Sequence, residues 1–424
     1  MNSNNSGTFN ASILAKLYGK NEVEFQKKRY EKLVSLFNKN FMSSPELFFS
    51  SPGRTEIGGN HTDHNHGRVI AASINLDAIC AVSKTDDMKV SLSSDAFKEQ
   101  FVVDLNDLSV VQSEIGTTSS LIRGIAKGFD DRGLSFGGFN AYITSNVLVG
   151  SGLSSSASVE VLIGKILSYL FNQNKVDAET IAIIGQFAEN NFFGKPCGLM
   201  DQMACATGGI ITIDFENPAK PQHEKLKVDF GKSGYGLLII DTGGSHADLT
   251  DDYASVPAEM KSVAKFLGKN VCREVSKEDL LKNVVKIRKK VGDRAFLRAY
   301  HFVFENERVV NQVSALKKNN FAEFLKLVNE SGNSSFKWLQ NIYSTKNVHE
   351  QSVSIALALV EKLVQKYGGA SRIHGGGFAG TIQVFVPKNK IENFADSIAP
   401  YFAKDAIKKL SIRNYGVICL DELN

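Results

Sequence analysis

Apolar and polar residues follow one another in a pattern that predicts mixed strands and helices without a regular βαβ order. Short apolar runs predict strands at residues 70–82, 89–92, 101–103, 139–144, 209–215, 236–241 and 381–386. An apolar face at helical spacing runs through residues 1–45, at Val23, Phe25, Tyr30, Leu33, Val34 and Phe37. This arrangement favours an α+β fold over a doubly wound parallel sheet.

Further helical patterns lie between these strands. Residues 148–160 run into a helix whose apolar side carries Val159, Leu162, Ile163, Ile166 and Leu170. Asp177 stands where an N-cap is expected, for a helix that reaches about residue 191. A short helical segment begins at Asp201, three helical stretches are expected between residues 256 and 343, and another helix is expected at 353–367.

The length of the chain indicates two domains. Its 424 residues exceed the usual size of a single hydrophobic core. Residues 216–233 are rich in lysine and proline and poor in apolar side chains. We therefore predict an N-terminal domain at residues 1–215 and a C-terminal domain at residues 216–424.

Composition and charge narrow the class of protein. The chain is 43% hydrophobic and 22% charged, and its net charge of +4 comes from scattered lysines, so no nucleic-acid partner is indicated. The first residues lack a signal-peptide pattern, and no apolar run is long enough to span a bilayer, so no membrane partner is expected. The five cysteines are odd in number and widely spaced, which predicts a reducing, cytoplasmic location.

The most polar stretch is residues 51–67, S-P-G-R-T-E-I-G-G-N-H-T-D-H-N-H-G, directly before a strand-like run at 69–74. We interpret it as a loop whose side chains bind a polar ligand. His61, Asp63, His64 and His66 suggest a metal site, but they are crowded into one short segment, and no distant Cys or His pair completes a coordination shell. A hydrogen-bonding pocket for a polyhydroxyl ligand fits these groups better.

Residues 150–156, G-S-G-L-S-S-S, lie where a helix begins. Free N–H groups and the positive end of the helix dipole make such a site a phosphate cradle, and Ser156 is placed to reach a Mg²⁺ carried by a nucleotide. A plain serine-capped helix explains the segment equally well.

A second glycine-rich segment, residues 375–380, satisfies G-x-G-x-x-G but precedes a strand. A dinucleotide fingerprint follows a strand and opens a helix, so we reject that interpretation. A turn close to a ligand and a purely structural turn both remain open.

Residues 194–202, G-K-P-C-G-L-M-D-Q, place Asp201 at the start of a helix. By itself this is an ordinary carboxylate at a helix N-terminus, where it stabilises the helix slightly. Glu189, near the end of the preceding helix, is an unremarkable acid when taken alone.

Taken together, these motifs resemble the galactokinases of the GHMP kinase superfamily over most of the chain. Residues 53–67 are similar to the galactokinase signature G-R-x-N-L-I-G-E-H-T-D-Y-N-x-G. Residues 150–158, G-S-G-L-S-S-S-A-S, and residues 371–380, S-R-I-H-G-G-G-F-A-G, resemble the second and third superfamily motifs. P-C-G-L-M-D-Q at 196–202 and R-A-x-H-x-x-x-E-N-x-R-V from Arg298 are also galactokinase-like.

The resemblance implies a role for each matching residue, in a cleft between two α+β domains. Arg54 and Asp201 match the catalytic arginine and aspartate, and Ser156 and Glu189 match the residues associated with Mg²⁺. The ATP-binding loop corresponds to Gly150, Ser151, Gly152, Leu153, Ser154, Ser155 and Ser156. The sugar-binding positions correspond to Asn60, His61, Asp63, Gly198, Asp201 and Tyr253.

The chain departs from the family at four positions. Asn60 stands in place of a sugar-binding glutamate, Glu56 in place of asparagine, and His64 in place of tyrosine. We hypothesise that Glu56 and Asn60 lie near each other, so that the exchange of acid and amide retains a polar pair. His374 stands where threonine or serine precedes the glycines of the third motif.

The expected activity is ATP- and Mg²⁺-dependent phosphorylation of galactose at its anomeric hydroxyl, giving galactose 1-phosphate and ADP. One alternative is a kinase for a related amino- or deoxy-sugar. A second alternative is a non-catalytic sensor of sugar and ATP, which the presence of Arg54, Ser156, Glu189 and Asp201 disfavours.

Overall fold

The computed structural model describes residues 9–97, 99–147, 152–245 and 249–423. Strands and helices are mixed along the chain, as the sequence pattern predicts. The strands are β1 (Leu47–Gly58), β2 (Arg68–Lys84), β3 (Lys89–Ser94), β4 (Phe101–Asp104), β5 (Phe139–Ser145), β6 (Ile210–Asp214), β7 (Gln222–Leu226), β8 (Tyr235–Asp241), β9 (Ala370–His374), β10 (Thr381–Pro387), β11 (Ile407–Leu410) and β12 (Ile418–Cys419).

The helices cover both faces of the sheets. They are α1 (Ala11–Tyr18), α2 (Val23–Phe41), α3 (Thr118–Asp130), α4 (Ser155–Phe171), α5 (Ala178–Ala188), α6 (Met200–Thr207), α7 (Thr250–Phe266), α8 (Lys277–Lys282), α9 (Val284–Lys290), α10 (Asp293–Lys317), α11 (Phe321–Ser334), α12 (Ser352–Lys366) and α13 (Ile391–Ile398). No helix of the described ranges is both long enough and apolar enough to cross a membrane.

The first sheet contains eight strands among the described residues, in the order β12-β1-β2-β5-β3-β4, with β6 paired to β2 and β7 to β6. Its strands pair antiparallel except β3 with β5. Helices α3 to α6 enclose the main core against this sheet, and α1 and α2 pack a smaller apolar cluster that includes Ile79 and Ala81 of β2.

The second sheet has four described strands, β11-β8-β10-β9, all antiparallel. Helices α12 and α13 pack on one face of it, while α10, α11 and the edge of the first sheet pack on the other. The two sheets match the division at residues 215 and 216 only in part, because β7 and β12 belong to the first sheet although they lie after residue 216. The domain boundaries remain a prediction.

The predicted loop at residues 51–67 is wrong in its first half. Residues 51–58 are the end of β1, and only the part after Gly58 turns, through a short 3₁₀ segment at Asp63–Asn65. The strand pattern is hidden because residues 51–58 are buried throughout, including the polar Arg54, Thr55 and Glu56. The predicted strand at 69–74 is confirmed as part of β2.

Side chains of the second sheet satisfy the backbone of β1 where no strand does. Backbone Glu56 N donates to His374 Nε2 at 3.3 Å, and Gln383 Nε2 donates to Glu56 O at 3.0 Å. Arg372 Nη1 donates to Ile57 O at 3.2 Å. Since buried backbone groups need partners, these three side chains bind the first sheet firmly to the second.

A buried carboxylate ties the amino- and carboxyl-terminal segments to the first sheet. Asp77 of β2 is fully buried and accepts hydrogen bonds from Arg29 at 2.8 Å, Ser50 at 2.5 Å and Arg413 at 3.1 Å. Tyr18 of α1 donates to it at 2.5 Å. Burial by itself raises the pKa of Asp77, but the two arginines outweigh that effect and hold the pKa below its usual value.

We predict that Asp77→Asn lowers the free energy of unfolding by about 3–5 kcal/mol, because it leaves Arg413 buried without a counterion. Since the pKa of Asp77 is lower in the folded state, its stabilisation is present above about pH 4 and is lost as the pH falls further. Urea unfolding at pH 7 and at pH 3.5 measures both effects, and the variant should lose less stability between them than the unmodified protein.

The matched control is Asp130→Asn, which removes a carboxylate that is 48% exposed and paired with Lys127 on the surface. Such a pair contributes at most about 1 kcal/mol. Equal destabilisation by the two substitutions would show that the buried cluster has no special role.

Candidate active site

An ion pair between Arg54 of β1 and Asp201 of α6 forms the centre of the site. Arg54 Nε donates to Asp201 Oδ1 at 2.7 Å, and Nη2 donates to Oδ2 at 2.6 Å. The Arg54 side chain is 8% exposed, whereas that of Asp201 is 31% exposed. The Arg54 guanidinium is therefore largely enclosed by the protein, whereas the Asp201 carboxylate is partly exposed to solvent.

Backbone geometry on both sides of Gly53 directs Arg54 out of the sheet. The β1–β2 register shifts between Pro52 and Arg54, which pairs with Ser73, and Arg54 N donates to Leu153 O at 3.0 Å. Bulges of this kind change the direction of a side chain next to many active sites. A Cβ at Gly53 would lie 2.7 Å from Leu153 O, so only glycine fits there.

The start of α4 lies against the same carboxylate. Ser154, the N-cap residue, has the left-handed φ of 60°, and its hydroxyl donates to Asp201 Oδ2. Arg54 Nη1 donates to Gly152 O. Gly152, Leu153, Ser154, Ser155 and Ser156 thus lie where a phosphate group would meet free helix N–H groups, whereas Gly150 and Ser151 lie outside the described residues.

The surroundings of Asp201 keep it ionised. Burial by itself raises the pKa of its carboxyl, but the Arg54 guanidinium and the Ser154 hydroxyl lower it below the usual value, with Lys195 adding to the effect. At neutral pH, Asp201 is a negatively charged acceptor with a fixed orientation.

Glu189 and Ser156 form an oxygen pair beside the helix start. Glu189 is 3% exposed, and its Oε1 accepts from Ser156 Oγ at 3.5 Å. Gln202 Nε2 donates to Glu189 Oε2 at 2.8 Å and to Glu160 Oε2 at 2.8 Å. Burial and the nearby Glu189 raise the pKa of Glu160 well above its usual value.

The donor set of Glu189 and Ser156 fits a Mg²⁺ ion. Carboxylate and hydroxyl oxygens are the hard ligands that Mg²⁺ prefers, and Mg²⁺ commonly takes only one or two protein carboxylates together with substrate phosphates and water. Across the described ranges, no group of three or more His, Cys, Asp or Glu side chains is placed to hold a metal ion. The pair is therefore suited to a cation that arrives with a phosphorylated ligand.

Asp63 and Gly198 face each other on the other side of the cleft. A Cβ at Gly198 would lie 2.7 Å from Asp63 Oδ2, so the absence of a side chain allows this close approach. Asp63 Oδ1 accepts from His64 N at 3.0 Å, and no described residue donates a hydrogen bond to Oδ2. Asp63, His64, Cys197 and Gly198 line a cavity of about 330 Å³.

Asn60, His61 and Tyr253 meet at the glycine turn of residues 375–377. Asn60 Nδ2 donates to Gly375 O at 2.7 Å, His61 Nε2 to Gly376 O at 2.8 Å, and the Tyr253 hydroxyl to Gly377 O at 2.9 Å. The sequence allowed either a turn close to a ligand or a purely structural turn at residues 375–380. In the structure, three predicted sugar-binding residues donate hydrogen bonds to the carbonyl groups of this turn.

The Asn60 amide is fully buried and makes hydrogen bonds on all sides within the protein. Besides Gly375, Nδ2 donates to Glu56 Oε1 at 3.2 Å, which confirms that Glu56 and Asn60 lie together. Oδ1 accepts from Asn341 at 2.9 Å and from Ser335 at 3.1 Å. In this arrangement the Asn60 side chain holds its loop in place and leaves no hydrogen-bonding position open to the cleft.

His61 is neutral and presents an acceptor. Burial is the largest cause that lowers its pKa to about 3, and the neighbouring His64 adds to it. Because Nε2 donates to Gly376 O, the proton lies on Nε2 and Nδ1 carries a lone pair. Nδ1 is buried and has no partner among the described residues.

His374 lies behind Arg54 and away from the open side. Its Nδ1 is 2.9 Å from Thr381 Oγ1, and its Nε2 is 3.0 Å from Thr55 Oγ1. Burial lowers its pKa well below the usual value, so the ring is neutral. A Cβ at Gly152 would lie 3.4 Å from Nδ1, which places the histidine directly under the helix-start loop.

Sequence reasoning missed several residues that build the site. Arg372, fully buried, pairs with Glu56, and His301 Nε2 lies 2.9 Å from Asn60 O. Gln202 and Lys195 both contact Glu189, at 2.8 Å and 3.1 Å. All four residues belong to segments quoted above, but nothing in the sequence distinguishes Lys195 from the other residues of its segment.

Comparisons with known proteins agree with this geometry. Residues 120–209 match the model of the GHMP kinase N-terminal domain, and residues 35–84 match the galactokinase galactose-binding signature. The galactokinase of Glaesserella parasuis is 30% identical over 87% of this chain and 92% of its own length. The galactokinase of Clostridium tetani is 31% identical over 84% of this chain and 88% of its own length.

Solved structures show the same architecture. The structure of Lactococcus lactis galactokinase complexed with galactose superposes with a TM-score of 0.78 at 25% identity, covering 92% of this chain and 99% of that one. The mevalonate kinase of Methanococcus jannaschii shares the fold, with a TM-score of 0.60 at 17% identity over 88% of this chain and 99% of its own. The protein is a sugar kinase with the GHMP kinase fold, and it belongs to the galactokinase family.

Proposed function

We propose that this protein transfers the terminal phosphoryl group of ATP to the anomeric hydroxyl of galactose, giving galactose 1-phosphate and ADP. The observation that carries the proposal is the Asp201 carboxylate, which Arg54 and Ser154 hold at the start of helix α4. A carboxylate that can accept the proton of a sugar hydroxyl thus lies next to the helix N-terminus that would bind the phosphate groups. The galactokinase relatives support galactose as the acceptor.

Asp201 orients the hydroxyl and takes its proton late in the reaction. A carboxylate with a lowered pKa is a weak base toward a sugar hydroxyl, so early proton removal contributes little. Phosphoryl transfer passes through a loose transition state, in which alignment of the attacking oxygen and neutralisation of charge matter most. Arg54 fixes the plane of the Asp201 carboxylate through two hydrogen bonds and also supplies positive charge.

The phosphate groups would lie at the N-terminus of α4, where Ser154, Ser155 and Ser156 leave helix N–H groups available. Ser156 and Glu189 would hold Mg²⁺, which supplies charge neutralisation on the phosphate oxygens. Gln202 keeps the Glu189 carboxylate in place through its 2.8 Å hydrogen bond.

The sugar would occupy the cleft next to Asp63 and Gly198, with Asp201 at its reacting end. Asp63 Oδ2 and His61 Nδ1 are acceptors suited to sugar hydroxyl groups. Tyr253 packs its ring against Gly376, where a Cβ would lie 2.8 Å from the ring, and so forms a wall of the pocket.

We also propose a cytoplasmic location. All five cysteines are free thiols, and four of them are buried. Disulfide bonds are rare in the reducing cytoplasm, and unpaired buried cysteines are ordinary there.

We predict ADP release with galactose in a coupled assay across a panel of hexoses that includes amino- and deoxy-sugars of galactose configuration. The acceptors that line the cleft favour a polyhydroxyl sugar, and the relatives favour galactose. Release that requires another sugar of the panel would contradict galactose as the substrate. Sugar binding without any ADP release would contradict catalysis itself.

We predict that Asp201→Asn lowers kcat by about 10²–10⁴-fold, because the amide cannot accept the proton. Arg54→Met should lower kcat as well, and it should move the acid limb of the kcat/KM profile to higher pH, since the pKa of Asp201 rises without the guanidinium. Steady-state rates with galactose and ATP between pH 4 and pH 9 test both.

The control for these variants is Asp229→Asn, which changes a carboxylate that is 58% exposed and bound to Lys232. It should leave kcat within about twofold, as surface substitutions normally do. Near-normal rates in Asp201→Asn and Arg54→Met would exclude the proposed chemistry.

We predict energetic coupling between Glu56 and Asn60. Glu56→Asn leaves the fully buried Arg372 without its counterion, whereas Asn60→Glu alone places two carboxylates side by side. The double swap restores one acid and one amide beside Arg372, so it should recover about 0.5–3 kcal/mol relative to the sum of the single losses.

A double-mutant cycle on kcat/KM for galactose and on urea unfolding measures this coupling. Purely additive losses in both measurements would contradict the paired role. Arg123→Met, which breaks the separate Arg123–Glu114 pair in the first domain, serves as a control and should not couple to either position.

A further inference from the structure

Lys195 lies beside the carboxylate that would hold the metal ion, at a position to which the sequence analysis assigns no role. The chain reverses there through a π-helical turn at Glu189–Phe193 that ends at Gly194, whose φ of 83° is left-handed. The N–H groups of Gly194 and Lys195 both donate to Glu189 O, the second at 3.1 Å. The backbone therefore returns Lys195 to Glu189, and single π-turns of this kind often occur at functional sites.

The two side chains of this pair differ strongly in exposure. Lys195 Nζ lies 3.1 Å from Glu189 Oε1, and the Lys195 side chain is 63% exposed while that of Glu189 is 3% exposed. The same oxygen accepts from Ser156 Oγ at 3.5 Å. The Lys195 ammonium, carried by an exposed side chain, thus lies against Glu189 Oε1, the oxygen that faces the proposed metal position.

Most exposed ion pairs contribute little to stability. If Lys195 interacted with Glu189 alone, the pair would be an ordinary surface ion pair without a functional role. Here, however, the charge of Lys195 also acts on Asp201, whose pKa it helps to lower. The ammonium therefore lies within electrostatic reach of both the acceptor carboxylate and the metal-binding carboxylate.

Arg54, the other cation of the site, is already bound by the protein. Its Nε and Nη2 donate to Asp201, and its Nη1 donates to Gly152 O. Among the described residues, the Lys195 ammonium has one hydrogen-bond partner, Glu189 Oε1 at 3.1 Å. Of these two cations, only Lys195 can turn toward an incoming phosphate without breaking a bidentate pair.

We propose that Lys195 is a mobile cation of the phosphoryl-transfer site, an inference that rests on the proposed function. Without nucleotide, its ammonium neutralises Glu189. When a nucleotide binds, the ammonium turns to the phosphate oxygens and leaves Glu189 and Ser156 to the divalent cation. Lys195 thus contacts the nucleotide directly once it is bound. Before the nucleotide binds, Lys195 neutralises the charge of the buried Glu189.

The proposal predicts opposite changes in two binding measurements made without sugar. In Lys195→Met, ATP in the presence of EDTA should bind about tenfold more weakly or worse, because a charged hydrogen bond to phosphate is lost. Mn²⁺ alone, measured by electron paramagnetic resonance, should bind severalfold more tightly, because the ammonium no longer competes for Glu189. A merely structural ion pair gives no reason for the two affinities to move in opposite directions.

Two further variants complete the test. Lys195→Arg keeps the charge and should bind metal-free ATP within about fivefold of the unmodified protein. Lys28→Met, which removes an exposed lysine of helix α2, should change neither affinity. Thermal unfolding of each variant shows whether the fold is retained.

Metal-free ATP affinity in Lys195→Met within about twofold of the unmodified protein would overturn the proposal. So would a Lys195→Arg variant that binds metal-free ATP as poorly as Lys195→Met. Neither measurement involves galactose, so failure here is distinct from failure of the unmodified protein to phosphorylate galactose.

Discussion

The structure depends on how strand β1 obtains hydrogen-bond partners along its second half. On one side β1 pairs with β2, but on the other side β12 reaches only residues 49 and 50. Arg372, His374 and Gln383 of the second sheet supply the missing partners at residues 56 and 57. Since each of these backbone groups is buried, the two sheets cannot separate at this point without leaving polar groups unsatisfied.

This constraint explains the placement of the chemistry. Arg54 leaves β1 at a bulge just before the bound segment, so its guanidinium is positioned by a strand that two sheets hold in place. Asp201 of α6 and the start of α4 meet the arginine from helices that pack on the first sheet. Asn60 joins Glu56 to the turn at residues 375–377, so hydrogen bonds hold the segment after β1 against the glycine turn. Phosphoryl transfer depends on such fixed positions more than on strong bases.

Much of the fold is readable from the sequence where one face of an element is apolar. The N-cap at Asp177 is confirmed by its 2.7 Å hydrogen bond from Thr180 N, and strands β2 to β6, which were predicted from apolar runs, fall close to their predicted bounds. Strands β7 and β9 were missed for physical reasons. Residues 222–226 are an exposed edge with only Leu226 buried. Residues 370–374 contain the buried polar Arg372 and His374, whose partners in β1 lie more than three hundred residues away.

The motifs made the central residues of the site predictable, and the structure brings Arg54, Ser154, Ser156, Glu189 and Asp201 together. Their individual roles remain predictions. The departure at Asn60 could not be understood from the sequence, because the partners of its amide come from three segments, at Glu56, at residues 335–341 and at Gly375. Lys195 was invisible for a similar reason, since its position depends on a π-turn and a left-handed glycine.

The contacts made by residues 413–419 affect how the chain folds during synthesis. Strand β12 closes the edge of β1 at Phe49 and Ser50, and Arg413 supplies a counterion to the buried Asp77. Both contacts join residues more than three hundred positions apart. The first sheet, although its main strands are made early, is completed only when residues 413–419 have been synthesised and have left the ribosome. Until residues 413–419 are available, β1 has one unpaired edge at residues 49 and 50, and Asp77 has Arg29 but not Arg413 as a counterion.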